Sequence, residues 1–198
     1  MPSPARVTAD RYPVGVSALD ALFWVTCLVL VVAGASKLLE PSATGSTLQA
    51  LGLPGGDALA RLVGAVEVLL AMGGLVVGGP VFAAGVAVAY AAFAVVVVVA
   101  RRRDLPSCGC FGARSAPPSQ VHVAVNSVSA VVAAAAAVTA PLPAADGLAD
   151  LGIGTAVVVA GLVLLATALV VVVDTVVAEL TEQVRAMREQ AASYGTAA

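Results

Sequence analysis

Apolar residues run along this chain in five long blocks, at Leu19–Leu39, Ala58–Val77, Val81–Ala100, Val121–Ala140 and Gly152–Val173. Each meets or approaches the roughly 20 residues that a helix needs to cross the hydrocarbon core of a bilayer. The second and third blocks are parted only by Gly78-Gly79-Pro80, which predicts a tight turn and an antiparallel hairpin. The segment Glu40–Asp57 carries Pro41, Gly52, Pro54, Gly55 and Gly56 and is expected to be an irregular but compact loop. Between the third and fourth blocks, Arg101–Gln120 holds Arg101-Arg102-Arg103, then Cys108-Gly109-Cys110-Phe111-Gly112, then Pro117-Pro118. The last connection, Pro141–Leu151, is short, and Asp146 and Asp150 are its charges.

Valine runs such as Val95–Val99 and Val170–Val173 have strand propensity, but in lipid a backbone must satisfy its own polar groups. Barrel strands would alternate polar and apolar residues over about 10 positions, and no such alternation is present. The expected fold class is therefore all-α, a polytopic membrane helix bundle. Ala33-Gly34-Ala35 after an apolar run, with Arg6 and Arg11 ahead of it, outlines a signal peptide. Because the run continues into Lys37-Leu38-Leu39 and its polar lead is long, a retained span is the expectation. Past the fifth block, Val176, Val177, Leu180, Val184, Met187 and Ala191 recur at helical spacing. Glu182, Arg185, Arg188 and Glu189 fill the opposite face, and Arg185 can pair with Glu189. This predicts an amphipathic tail that prolongs the last span along the interface.

Composition agrees with the pattern. The 198 residues are 60% hydrophobic and 11% charged, with a mean hydropathy of +1.01. A soluble domain carries about 25% charged residues, so a lipid-embedded chain is indicated. Most of the apolar residues are Ala, Val, Leu and Gly, which favours helices packed through small residues at close backbone distance. A net charge of -2 without a basic, aromatic-rich patch argues against nucleic acid as a partner.

Three cysteines are too few for a disulfide scaffold but suit a redox pair or a metal site. Gly109 frees the backbone to bring Cys108 and Cys110 to one side. A disulfide closed across one residue is a small strained ring, easily exchanged. Arg101, Arg102, Arg103 and Arg114 nearby would favour a thiolate. Metal binding is the rival use: two soft thiolates select Cu(I) or Zn, and His122, the one histidine in the chain, could add a third ligand.

Lys37 and Glu67 are ionisable groups within or near apolar blocks, where such groups are costly and commonly face the bundle interior in pairs. They are candidates for an interior pair, with Lys37 also able to snorkel to the interface. Because consecutive spans reverse direction, Lys37, Glu67, the cysteine loop, His122 and Asn126 fall on one side. His122 and Asn126 share a helical face. Cys27, mid-span and alone, reads as a small apolar filler.

These residues carry a resemblance. Ser36-Lys37-Leu38 with Pro41, Leu51-Gly52-Leu53-Pro54, Glu67, Cys108-Gly109-Cys110-Phe111-Gly112 and Asn126 together resemble the methylamine utilisation protein MauE family, itself similar to DoxX-like four-helix membrane proteins. The likeness spans Leu19 to Ala140. The family pattern has Arg immediately before the Asn, where this chain has Val125. The resemblance implies a four-helix MauE-like domain (19–140); the polar N-terminal tail (1–18), the fifth span (141–175) and the amphipathic tail (176–198) lie outside it. It also implies a multi-pass protein of the inner or plasma membrane that acts in thiol–disulfide traffic during maturation of methylamine dehydrogenase. Cys108 and Cys110 would be the redox pair, with a thioredoxin-like protein, a cysteine-bearing protein substrate and membrane lipid as partners. No cofactor is expected.

Charge and chemistry pull the topology in opposite directions. With the cysteine loop in the cytoplasm, Lys37, Arg61, Arg101, Arg102, Arg103, Arg114, Arg185 and Arg188 lie inside, leaving Arg6 and Arg11 outside. Oxidation of exported proteins would instead place the thiols outside, since the cytoplasm keeps thiols reduced. The charge rule is the more direct physical argument for topology.

Overall fold

A computed structural model describes residues 16–54, 56–105, 107–110, 117–177, 179–180, 183–185 and 187–188 of the chain. Arg6, Arg11, Gly55, Phe111, Gly112, Arg114, Glu182, Glu189 and Ala191 lie outside the described residues. The described chain is helical: α1 (Ala18–Leu39), α2 (Ser42–Ala50), α3 (Gly56–Val76), α4 (Gly79–Arg102), α5 (Gln120–Thr139), α6 (Ala144–Ala149) and α7 (Ile153–Val172). A π-helical turn, Val173–Val177, prolongs α7. Five of these elements (α1, α3, α4, α5 and α7 with its π-turn) are long and apolar enough to span a membrane. This is a multi-pass membrane protein.

The Glu40–Asp57 segment is a correction to the expected irregular loop. Pro41 caps a nine-residue helix, α2, whose Thr44, Gly45 and Thr47 are buried. Gly52 and Pro54 follow its C-terminal end, where Gly52 has φ 87° and ends the helix instead of preventing it. Similarly, the short Pro141–Leu151 connection holds the six-residue α6.

Helix α1 is the axis of the bundle. In its most apolar stretch 56% of residues are buried, against 11% in the fifth span, whose leucines and valines face outward. Its start is fixed by Ser17, which accepts from the Asp20 backbone N–H while Asp20 accepts from Ser17. Asp20 also accepts from the Leu142 N–H at 3.2 Å, and Trp24 Nε1 donates to the Leu142 carbonyl at 3.1 Å. These bonds tie α1 to the α5–α6 connection at the membrane face opposite the cysteine loop.

Small residues set how α1 meets α3. A Cβ on Gly34 would lie 2.7 Å from the Gly64 carbonyl oxygen, and one on Gly64 would lie 2.7 Å from that of Gly34. The two backbones are therefore in direct contact, the close approach that small residues permit in lipid. Gly64 is three residues before Glu67, and Gly34 three before Lys37, so this contact brings the two ionisable side chains together.

Candidate functional site

The site lies where the cysteine loop dips into the bundle at the end shared by α2, the start of α5 and the end of α7. Cys108 is 3% and Cys110 8% exposed, and both pack with Val29, Ala33 and Val97. Both are free thiols, as is Cys27 in the main apolar core.

Two polar anchors hold the loop down. Lys37 Nζ donates to the Cys110 carbonyl at 2.5 Å, to Glu67 Oε2 at 2.9 Å and to the Ala33 carbonyl at 3.3 Å. It also sits 5.2 Å from the centre of the Phe93 ring, within cation–π range. The possibility that Lys37 snorkels to the interface is corrected here. Its side chain is 3% exposed, because the Gly34–Gly64 contact places a carboxylate within reach and the cysteine loop offers a carbonyl. The second anchor is α2. Thr44 Oγ1 donates to the Gly109 carbonyl at 2.6 Å, and Thr47 Oγ1 to the Ser107 carbonyl at 3.3 Å. Gly109 has φ 69°, and a Cβ there would lie 2.9 Å from Thr44 Cα. Glycine is therefore required at this position by backbone conformation and by the proximity of α2.

The two thiols differ. The Cys110 side chain hydrogen-bonds to Cys108 and holds the Cys108 thiol well below the usual range; burial opposes this, and the His122 side chain adds to the lowering. The same hydrogen bond, joined by burial, pushes the Cys110 thiol well above its usual range. The two thiols of the loop are therefore inequivalent, Cys108 favoured as thiolate and Cys110 as thiol. The Arg101–Arg103 flank expected to favour the thiolate is not among the main influences on Cys108. Arg103 instead donates to the Ala50 carbonyl at 3.2 Å, and the side chain that joins Cys110 in lowering Cys108 is His122.

His122 opens α5 in an unusual cap. Ser119 accepts from the His122 backbone N–H, and the His122 ring takes the place that Glu fills in the common capping box. The Ser119 N–H donates to Nδ1 at 3.2 Å, and Ser119 Oγ is 2.9 Å from the same atom. A backbone N–H can only donate, so Nδ1 of the neutral ring accepts and its proton sits on Nε2. Asn126 Nδ2 donates to the His122 carbonyl at 2.7 Å one turn later.

Sequence reasoning missed Asp174. It lies one residue past the fifth apolar block, at the end of the expected fifth span. In the structure it is 3% exposed and stands on the inward stripe of the fifth span with Val163 and Thr167. Its Oδ1 is 3.8 Å from His122 Nε2. The available signal was its spacing, since 163, 167, 170 and 174 keep one helical face. A cavity of about 10 Å³, the size of one water, lies between Lys37, Tyr90, Cys110, Asn126 and Asp174. The metal alternative of Cys108, Cys110 and His122 finds no support in this geometry. Among the described residues, no group of three or more His, Cys, Asp or Glu side chains is arranged to hold an ion.

The chain belongs to the methylamine utilisation protein MauE family, whose model matches residues 16–142. The match ends before α6, so the fifth span and Asp174 lie beyond it. Comparison with curated proteins and with solved structures returned no match.

Proposed function

We propose that this MauE-family membrane protein is a thiol–disulfide exchange factor in which Cys108 attacks and Cys110 resolves. The observation that carries the reading is the pair itself: two free thiols one residue apart in a loop pinned by Lys37 and Thr44, with Cys108 shifted down and Cys110 shifted up. In the oxidising half of the cycle, the Cys108 thiolate attacks one sulfur of a disulfide in a thioredoxin-like partner, and the partner's other sulfur leaves as a thiolate. Cys110 then gives up its proton and attacks Cys108 Sγ, releasing the second partner sulfur. Two electrons pass from the pair to the partner, and Cys108–Cys110 remains as a disulfide. A client dithiol reverses these steps and leaves with its own disulfide formed, so the pair relays two electrons from client to partner. The family association points to enzymes of methylamine oxidation as clients, of the methylamine dehydrogenase type.

Trapping separates the two roles. Cys110→Ser should accumulate a mixed disulfide through Cys108 when mixed with an oxidised thioredoxin-like protein, because the resolving thiol is gone. Cys108→Ser should accumulate none. Equal trapping by both variants, or none by either after the loop has been shown accessible to small alkylators, would refute the assignment.

A further inference from the structure

We propose that Asp174, carried into the bundle by the fifth span, is a positioning residue. It holds His122 by Nε2 and balances its charge when the proton of Cys108 passes to the ring. The inference rests on the exchange reading and adds to it a residue outside the matched family region.

Three observations carry it. First, His122 Nε2 and Asp174 Oδ1 are both buried, have no hydrogen-bond partner among the described residues, and face each other at 3.8 Å. Two buried orphan atoms of complementary kind, an N–H and a carboxylate oxygen, are costly when left without each other. A shift of less than 1 Å joins them, and the gap is too short to admit a water. Second, the opposite ring nitrogen is already fixed by Ser119, which leaves Nε2–H as the ring's remaining donor, with Asp174 Oδ1 3.8 Å away. Third, Asp174 sits in a π-turn, Val173–Val177, at the end of an otherwise α-helical span. π-turns arise where one extra residue re-aims a side chain, and they are frequent at functional sites.

The proton balance closes without another reactant. Before transfer the group holds a neutral thiol, a neutral imidazole and a carboxylate. Afterwards it holds a thiolate, an imidazolium and a carboxylate, with the same net charge. The added proton sits at Nδ1, where the Ser119 N–H gives up its bond to the ring and Ser119 Oγ turns to accept. The other ionisable groups around this cluster are Lys37 from α1, Glu67 from α3, Tyr90 from α4 and Cys110 from the loop. Lys37 is already bonded to Glu67 and the Cys110 carbonyl, and Tyr90 donates to the Thr26 carbonyl at 2.8 Å. None of these is paired with His122.

The test uses the full chain in lipid nanodiscs with Cys27→Ser and Cys110→Ser as background, so that Cys108 alone reports. Its alkylation by iodoacetamide is followed against pH. Asp174→Asn is expected to move the midpoint up by about one pH unit and slow alkylation near neutral pH about tenfold, as loss of one adjacent charge predicts. Asp174→Glu should restore most of the rate, and in a His122→Asn background Asp174→Asn should have no further effect. Because His122 is the single histidine, selective labelling yields one imidazole signal. That signal should show an Nε2–H hydrogen-bonded to carboxylate in the parent chain and lose it in Asp174→Asn. Superimposable pH profiles, or an unchanged imidazole signal, would overturn the proposal. Should Asp174→Asn fail to fold, the imidazole signal of the parent chain decides alone. Both readouts use the isolated protein, so the relay can fail while mixed-disulfide trapping succeeds, and the reverse.

Discussion

The Lys37–Glu67 pair offers the sharpest test of how the bundle is held together. The ammonium and carboxylate are 2.9 Å apart with side chains 3% and 2% exposed. At an effective dielectric of about 20, two unit charges at that distance attract by about 6 kcal/mol, most of which desolvation offsets. Removing one partner strands the other, a loss of about 3–5 kcal/mol. Lys37→Met should be the worse single change, since it also orphans the Cys110 carbonyl at a further cost of about 1–3 kcal/mol. Glu67→Leu leaves the ammonium bonded to the Ala33 and Cys110 carbonyls and should cost less. The double variant Lys37→Met/Glu67→Leu strands no charge. It should be less destabilised than the sum of the singles by about 2–4 kcal/mol, yet still fall short of the parent because the Cys110 carbonyl stays unpaired. Reversible unfolding in mixed detergent micelles, titrated with SDS, measures all four chains. If the single losses add to the double within about 0.5 kcal/mol, the pair is not coupled and the reasoning fails.

Further outcomes follow from the same geometry. Gly109→Ala should destabilise the loop by about 1–3 kcal/mol, because its Cβ meets Thr44 Cα in a backbone conformation that disfavours side chains, and faster alkylation of Cys108 and Cys110 would report it. Thr44→Val removes the bond to the Gly109 carbonyl, about 1 kcal/mol, and should raise alkylation more weakly; no change would show that α2 does not hold the loop. Cys108 is shifted down, so its thiolate should persist below the ordinary thiol range of about 8.5 and be lost only as pH falls through the lowered value. Cys110 is shifted up and should react with iodoacetamide only at distinctly higher pH, a separation that peptide mapping resolves. Finally, a membrane-impermeant maleimide applied to intact cells, with Cys27→Ser as background, should label Cys108 and Cys110 only after permeabilisation if the arginine distribution sets topology; labelling after reduction alone would place the pair outside.

Much of the site was legible because membranes make ionisable residues conspicuous. Lys37 and Glu67 stand out against apolar blocks, and reversal of successive spans is enough to put them on the side of the cysteine loop. What could not be read was which groups meet. The arginines beside the cysteines looked like the source of a thiolate, but Arg103 turns to α2 while His122 approaches from α5. Nor was α2 visible, since Pro41, Gly52 and Pro54 suggest a loop until one sees that Pro41 caps the start of the helix and Gly52 and Pro54 follow its end.

The sequence by itself determined the number of spans, the helical state of the valine runs and the side on which the polar residues gather. All three follow from local physics: the thickness of the bilayer and the need of every backbone group for a partner within its own segment. The tertiary structure alone decided that Gly34 and Gly64 touch, that Lys37 reaches the Cys110 carbonyl, and that Asp174 faces His122 across the bundle. Those contacts depend on helix rotation and depth, which small residues set by allowing backbones to meet, and no pattern confined to one helix encodes where its neighbour will stand.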